Sequence, residues 1–233
     1  YPMLEKHYEK SNLFFNSYFF IDELASLLKK DATIVTDMGL SFVGTHQAFR
    51  IKLGQKLFTN SGHAPMGWGL PAAFGASRTN PKTPVVCLTG DGGFMMNIQE
   101  LATVMCHQPN LKIFIYNNKG YLTIKQTQQR HFDNRLMGST DDLDMKFPNF
   151  KLIAEAHAIP FIKIENDLEI NMLDSFLKIQ GPGICELIMD PDQLQIPIAI
   201  NKKDEFGLTI PSKYEDLYPF LSEKELNDNL VIK

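Results

Sequence analysis

Val85-Val86-Cys87-Leu88-Thr89-Gly90-Asp91-Gly92-Gly93-Phe94 is the stretch on which the reading of the fold turns. Its apolar half is continuous rather than alternating, which suits a strand covered on both faces. It ends in Gly-Asp-Gly-Gly and leads into Asn97–His107, where Ile98, Leu101, Ala102 and Met105 recur on one face of a helix. Comparable strand-like runs stand at Thr33–Thr36, Ile113–Tyr116, Phe161–Ile164 and Ile184–Ile188. Between them lie the helix-period segments Tyr18–Lys30 and Asn166–Ile179. The first of these carries Asp22 and Glu23 early and Lys29 and Lys30 late, as the helix dipole favours. Strand–helix alternation predicts an α/β fold: a parallel sheet of about six strands flanked by helices on both faces. Ligands in such sheets bind beyond the C-terminal ends of the strands.

Composition narrows the classes. The 233 residues are 44% hydrophobic and 21% charged, the proportions of a globular protein. A net charge of −4 argues against non-specific nucleic-acid binding, which needs a basic face. No apolar run approaches the roughly 18 residues that span a membrane, and the N-terminus lacks a secretory pattern. Cys87, Cys106 and Cys185 are odd in number, far apart and without a CxxC pair, so a cytoplasmic protein with reduced thiols is expected. The sequence reads as one domain over 1–233, with a core at about 16–190 and a tail at 191–233 that is rich in Pro and charge and shows no clear strand. The chain does not begin with Met and reads as a fragment of a longer chain. Residues 130–150 are polar, with Asp141, Asp142 and Asp144 clustered; this is a loop over an edge or a site, or a solvated surface loop.

The Gly90–Gly93 turn has two readings. Glycines let a ligand approach the backbone, amides at a helix start attract phosphate, and an Asp at a strand end can hold a bridging cation. Alternatively it is a tight βα turn with Asp as a cap. The next strand, Ile113–Tyr116, sharpens the choice, because it ends in Asn117-Asn118-Lys119-Gly120-Tyr121. Asp91 and Asn118 stand 27 residues apart with one amphipathic helix between, so neighbouring parallel strands would bring them together. A carboxylate, an amide oxygen and a main-chain carbonyl are hard ligands suited to Mg²⁺. No GxGxxG follows the first strand, which disfavours a dinucleotide fold.

Gly90-Asp91-Gly92 with Asn117-Asn118 resembles the thiamine-diphosphate motif. Residues 90–103 and Gly62-His63-Ala64-Pro65-Met66-Gly67-Trp68-Gly69-Leu70-Pro71-Ala72-Ala73 are similar to acetolactate synthase large subunits, and the likeness runs from about 16 to 195. The resemblance implies the C-terminal, pyrophosphate-binding domain of a carboligase acting on a 2-keto acid, pyruvate above all, with thiamine diphosphate and Mg²⁺. Asp91, Asn118 and the Gly120 carbonyl would hold the metal. Gly90, Gly92 and Gly93 would meet the diphosphate, with Gly39, Leu40 and Ser41 as a second diphosphate loop. Met66 would support the bent cofactor, the Ala64 carbonyl would accept from its amino group, and Tyr121 and Leu122 would complete the contact. His63, Thr123, Ile124 and Thr127 would line the substrate side. Thr123 and Thr127 stand where acetolactate synthases have Met and Trp, leaving room for a bulkier acceptor.

No catalytic residue of this chain follows from the resemblance, because the activating Glu belongs to an N-terminal pyrimidine-binding domain of a partner subunit. A homo-oligomer, dimer or tetramer, is therefore expected. FAD, which acetolactate synthases carry, would lie mainly in a middle domain. The alternatives are a 2-keto-acid decarboxylase and a non-catalytic cofactor-binding or assembly module. Met66, Trp68 and Phe94 are expected at a surface that another domain covers.

Overall fold

The computed structural model describes residues 4, 8–79, 81–141, 145–203, 206–211 and 214–230. They group into two compact units, 1–193 and 194–233. The first unit is built on six strands: β1 (Thr33–Thr36), β2 (Lys56–Phe58), β3 (Val85–Gly90), β4 (Leu111–Asn117), β5 (Phe161–Ile164) and β6 (Gly183–Ile188). They lie in the order β2-β1-β3-β4-β6-β5, and every neighbouring pair is parallel. From β1 the chain goes outward to the β2 edge and then returns to β3 on the other side. The strand order thus reverses at β1/β3, the place where an open parallel sheet leaves a crevice.

The helices are α1 (Ser17–Leu27), α2 (Leu40–Ala48), α3 (Gly69–Thr79), α4 (Asp91–Met96), α5 (Leu101–His107), α6 (Leu122–His131), α7 (Phe150–Ala156) and α8 (Met172–Leu177). Strand side chains alternate between two cores. Ile34, Val86, Leu88, Phe114, Tyr116, Cys185 and Leu187 face a layer containing Phe20 and Leu24 of α1, Leu40 of α2 and Phe176 of α8. Val35, Val85, Cys87, Ile113, Ile115 and Ile184 face Leu70 and Ala73 of α3, Phe94 of α4, Leu101 and Val104 of α5 and Phe150 of α7. Burial on both faces is the physical reason that the strand runs are continuously apolar. α1 starts where it does because Asn16 Oδ1 accepts from the amides of Tyr18 and Phe19, at 2.9 and 3.2 Å.

All five expected strands match or extend their runs within two residues, and the α/β architecture is the expected one. β2 carried no signal, being three residues long, largely exposed and at the edge. The helix expected over Asn97–His107 is a 3₁₀ turn followed by α5, and a further short helix, α4, precedes it. α4 begins at Asp91 itself, and Asn97 (φ −133°, ψ 34°) breaks the run before a 3₁₀ turn at Ile98–Glu100 and α5. The break has a cause: Asn97 Nδ2 donates to Gly67 O at 2.8 Å, a contact beyond the reach of periodicity. Asn166–Ile179 is likewise a 3₁₀ turn at Asp167–Glu169 followed by α8. Phe94, expected at a surface, is 1% exposed and meets Phe150 edge to face at 5.7 Å.

The second unit contains an antiparallel pair, β7 (Lys202–Lys203) with β8 (Thr209–Ile210), and α9 (Glu223–Asn229). A strand pair of two residues each is too short for a readable pattern, which is why none was expected there. Among the described residues, no helix is long and apolar enough to cross a membrane. Cys87 and Cys185 are buried free thiols, and Cys106 is exposed.

Phe20 is fully buried, with ring centroids 5.1 Å from Phe114 and 5.6 Å from Tyr116. Phe20→Ala should lower the unfolding free energy by about 3–5 kcal/mol. The loss is read as a lower denaturation midpoint at unchanged slope. A loss below about 1 kcal/mol would show that α1 is not a principal cover of this face.

Candidate functional site

The crevice at the C-terminal ends of β1, β3 and β4 is a cavity of about 340 Å³. Two buried aspartates shape it. Asp37, one residue past β1, is 1% exposed, and its amide donates to Leu88 O of β3 at 2.7 Å. Its Oδ2 accepts from Gly67 N at 3.0 Å and Thr89 Oγ1 at 2.8 Å, and its Oδ1 from Gly69 N at 3.3 Å. A Cβ on Gly93 would lie 2.1 Å from Asp37 Oδ2, so only glycine fits there. Burial pushes the Asp37 carboxyl above its ordinary pKa, and the hydrogen bonds from Thr89, Gly67 and Gly69 pull it back in part.

Asp91 is also 1% exposed. Its Oδ1 accepts from Gly92 N at 2.7 Å, and its Oδ2 from Gly120 N at 3.0 Å. β3 and β4 pair with Gly90 opposite Tyr116, so Asp91 and Asn118 emerge side by side and line the same cavity. Asn118 is 8% exposed, and its Oδ1 has no hydrogen-bond partner among the described residues. Burial raises the Asp91 carboxyl to about 7; the amides of Gly120, Gly92 and Lys119 oppose this, and the charge of Asp141 adds to it. A buried carboxylate without a cationic partner beside an orphaned amide oxygen is an unfavourable arrangement for an empty protein. It suits a hard divalent cation, which takes oxygen ligands. No cluster of three His, Cys, Asp or Glu fit for a metal occurs among the described residues, so such an ion would rely on amide and main-chain oxygens.

Most of the residues expected from the sequence come together. Gly39, Leu40, Ser41, Met66, Gly90, Asp91, Gly92, Gly93, Asn118, Gly120, Tyr121, Leu122, Thr123 and Ile124 all line the cavity. Gly39 has φ 79° and begins α2, and Ser41 Oγ donates to Met38 O at 3.1 Å. Met66 is 37% exposed at the mouth. Ala64, His63 and Thr127 are exposed and do not line the cavity. Thr127 donates its hydroxyl to Thr123 O at 2.9 Å, one turn back along α6. Ala64, with φ 51°, lies in the loop ahead of Met66. Phe42, Val43 and Tyr116 complete the wall, unforeseen in the sequence because apolar residues on a helix and a strand look like core. The role of Asp37 was equally hidden, since its partners are up to 52 residues away.

Residues 37–186 match the family model of the thiamine pyrophosphate enzyme C-terminal TPP-binding domain. The chain is 30% identical to the acetolactate synthase large subunit of Lactococcus lactis over 190 residues, 80% of this chain and 32% of the relative. It is 30% identical over 186 residues to acetolactate synthase isozyme 1 large subunit of Escherichia coli, covering 78% and 32%. It is 34% identical over 191 residues to the large subunit of Porphyra purpurea, covering 80% and 32%. The chain therefore spans about a third of the length of these curated relatives.

The Asp91 carboxyl titrates near 7 in the folded protein, above its ordinary value. Its contribution to stability is therefore present below the ordinary carboxylate range and is lost as pH rises towards about 7. In EDTA, the melting temperature of the native protein minus that of Asp91→Asn should fall steadily between about pH 4 and about pH 7.5. A constant difference across that range would contradict the burial argument.

Proposed function

This chain belongs to the thiamine pyrophosphate enzymes, as a C-terminal TPP-binding domain, and on that premise we propose that it forms the diphosphate- and metal-binding half of the active site of an acetolactate synthase-like carboligase. The substrate is a 2-keto acid, pyruvate being the simplest. The observation that carries this reading is the Asp91–Asn118 corner, a buried carboxylate and an orphaned amide oxygen at adjacent strand ends.

The residue types fit the group. Asp91, the Asn118 side chain and the Gly120 carbonyl are the hard oxygen donors for Mg²⁺. Gly92 and Gly93 line the cavity, and Gly39–Ser41 offers a second backbone stretch that lines it. Met66 at the mouth supplies a flexible apolar support for the middle of the cofactor. Thiamine diphosphate supplies the electron sink that stores the carbanion left by decarboxylation. The tasks of this chain are to anchor the diphosphate, neutralise it through the metal and keep the reacting end between Met66 and the start of α6. Thr123 and Ile124 of α6 face the space that the second carbonyl compound would enter.

Among the described residues lining the cavity, Asp91 is the only carboxylate, and both its oxygens accept main-chain N–H groups. It is committed to the cation corner. No carboxylate of the described cavity is left to activate the cofactor ring, so a group from elsewhere in the assembly has that task.

Thiamine diphosphate should bind this chain only with Mg²⁺, by calorimetry, and Asp91→Ala should weaken binding at least about tenfold, the loss expected of a direct ion contact. Proton exchange at C2 of the bound cofactor, followed by NMR, should be no faster than in free solution. Binding indifferent to both Mg²⁺ and Asp91→Ala would remove the metal reading, and fast exchange would place an activating group within these residues.

A further inference from the structure

The polar segment after α6 is not a free surface loop. Ser139–Asp141 runs antiparallel to Lys119–Tyr121. Tyr121 N donates to Ser139 O at 2.9 Å, Asp141 N donates to Lys119 O at 3.0 Å, and Gly120 pairs with Thr140. A Cβ on Gly120 (φ 151°) would lie 2.2 Å from Ser139 O, so this approach requires glycine. The strap is itself fixed: Ser139 Oγ donates to Gln128 Oε1 at 2.7 Å, and the Gln128 amide also exchanges hydrogen bonds with the Met137 backbone. Of the clustered acids, Asp142 and Asp144 lie outside the described residues.

The strap closes the outer side of the Asp91–Asn118 corner. A second cavity of about 280 Å³ is lined by Asn118, Gly120, Ser139, Thr140 and Asp141, together with Lys119 and the paired Lys125 and Asp192. Thr140 is 7% exposed, and its Oγ1, like Asn118 Oδ1, has no hydrogen-bond partner among the described residues. Two orphaned oxygens, each on a side chain more than nine-tenths buried, therefore face one small space. Asp141 is near enough for its charge to act on Asp91. Among the described residues, none of Lys119, Lys125 and Lys146 forms an ion pair with its carboxylate. Lys146 Nζ donates to the Asp141 main-chain carbonyl at 2.6 Å, and Lys125 Nζ pairs with Asp192 at 2.7 Å. The Asp141 carboxylate, two unsatisfied oxygens and the Asp91 carboxylate of the adjoining cavity, which shares Asn118 and Gly120 with this one, call for positive charge and for donor hydrogens.

A hydrated Mg²⁺ supplies both, because it keeps waters whose hydrogens need acceptors. We propose that Thr140 and Asp141 are the outer partners of the cation held by Asp91 and Asn118, accepting hydrogens from its water ligands. The strap thus positions the ion's hydration shell, while the strand ends bind the ion itself. The inference rests on the metal-site reading above and extends it to two residues of a loop.

Mn²⁺ binding in the presence of thiamine diphosphate, measured on this chain by electron paramagnetic resonance, tests it. Thr140→Val and Asp141→Asn should each weaken Mn²⁺ by about 10–100-fold, the usual effect of removing a partner of a metal's ligands. Thr140→Ser, which restores the hydroxyl, should return affinity to within about threefold of native, well short of that loss. Melting in EDTA should match the native protein; if Thr140→Val fails to fold, Asp141→Asn and Thr140→Ser decide. Native-like Mn²⁺ affinity in Asp141→Asn and Thr140→Val, with binding lost in Asp91→Ala, would overturn the inference and leave the metal site standing. No cofactor-dependent Mn²⁺ binding by the native chain, or native binding by Asp91→Ala, would overturn both.

Discussion

The carboxylate of Asp37 has no cationic partner among the described residues, and three separate pieces of chain converge on it. It takes the amides of Gly67 and Gly69, the hydroxyl of Thr89 and, by contact, the bare backbone of Gly93. Burial makes each of these bonds necessary, since an unsatisfied carboxylate in the interior costs several kcal/mol. The site depends on this constraint. It fixes the Met66 loop against the end of β3, sets the start of α3, and brings the Gly90–Gly93 turn to the mouth of β1. Asn97 completes the clasp from the other side by holding the Gly67 carbonyl, at the expense of a continuous helix.

A second carboxylate follows the same physics with a different outcome. Among the described residues Asp91 accepts only backbone amides, yet it stands beside an amide oxygen that has no partner there and near the charge of Asp141. Asp37 is satisfied within the protein. Asp91 and Asn118 are left with unused capacity directed at open space. That contrast separates a carboxylate whose hydrogen bonds are met within the protein from one left beside an unsatisfied oxygen, although both are equally buried. The strap at Ser139–Asp141 adds the unsatisfied Thr140 hydroxyl and the Asp141 carboxylate next to Asn118 and Gly120.

The strand order explains why the corner is accessible. Reversal at β1 places α2 and α3 on opposite faces of the sheet, one with the Phe20 layer and one with the Phe94 layer. The space between their N-terminal ends remains open above β1 and β3. Two glycines that line it are fixed by close packing: a Cβ on Gly92 would lie 2.0 Å from the Tyr121 ring and one on Gly93 2.1 Å from Asp37 Oδ2.

The sequence by itself determined the α/β class, the parallel sheet and the position of the Gly90–Gly93 and Asn117–Tyr121 turns at its C-terminal edge. Those features are local: a doubly buried strand must be continuously apolar, and a turn that lets a ligand approach must be glycine-rich. Only the tertiary structure decided that β2 forms the edge, that the helix after Asp91 breaks at Asn97, and that His63, Ala64 and Thr127 lie outside the cavity while Phe42, Val43 and Tyr116 line it. It also decided what Asp37 and Thr140 do. The reason is range. An aspartate looks the same in sequence whether it caps a turn or gathers amides 30 and 32 residues away. A threonine hydroxyl becomes a candidate ligand partner only when folding buries it with nothing to bond to.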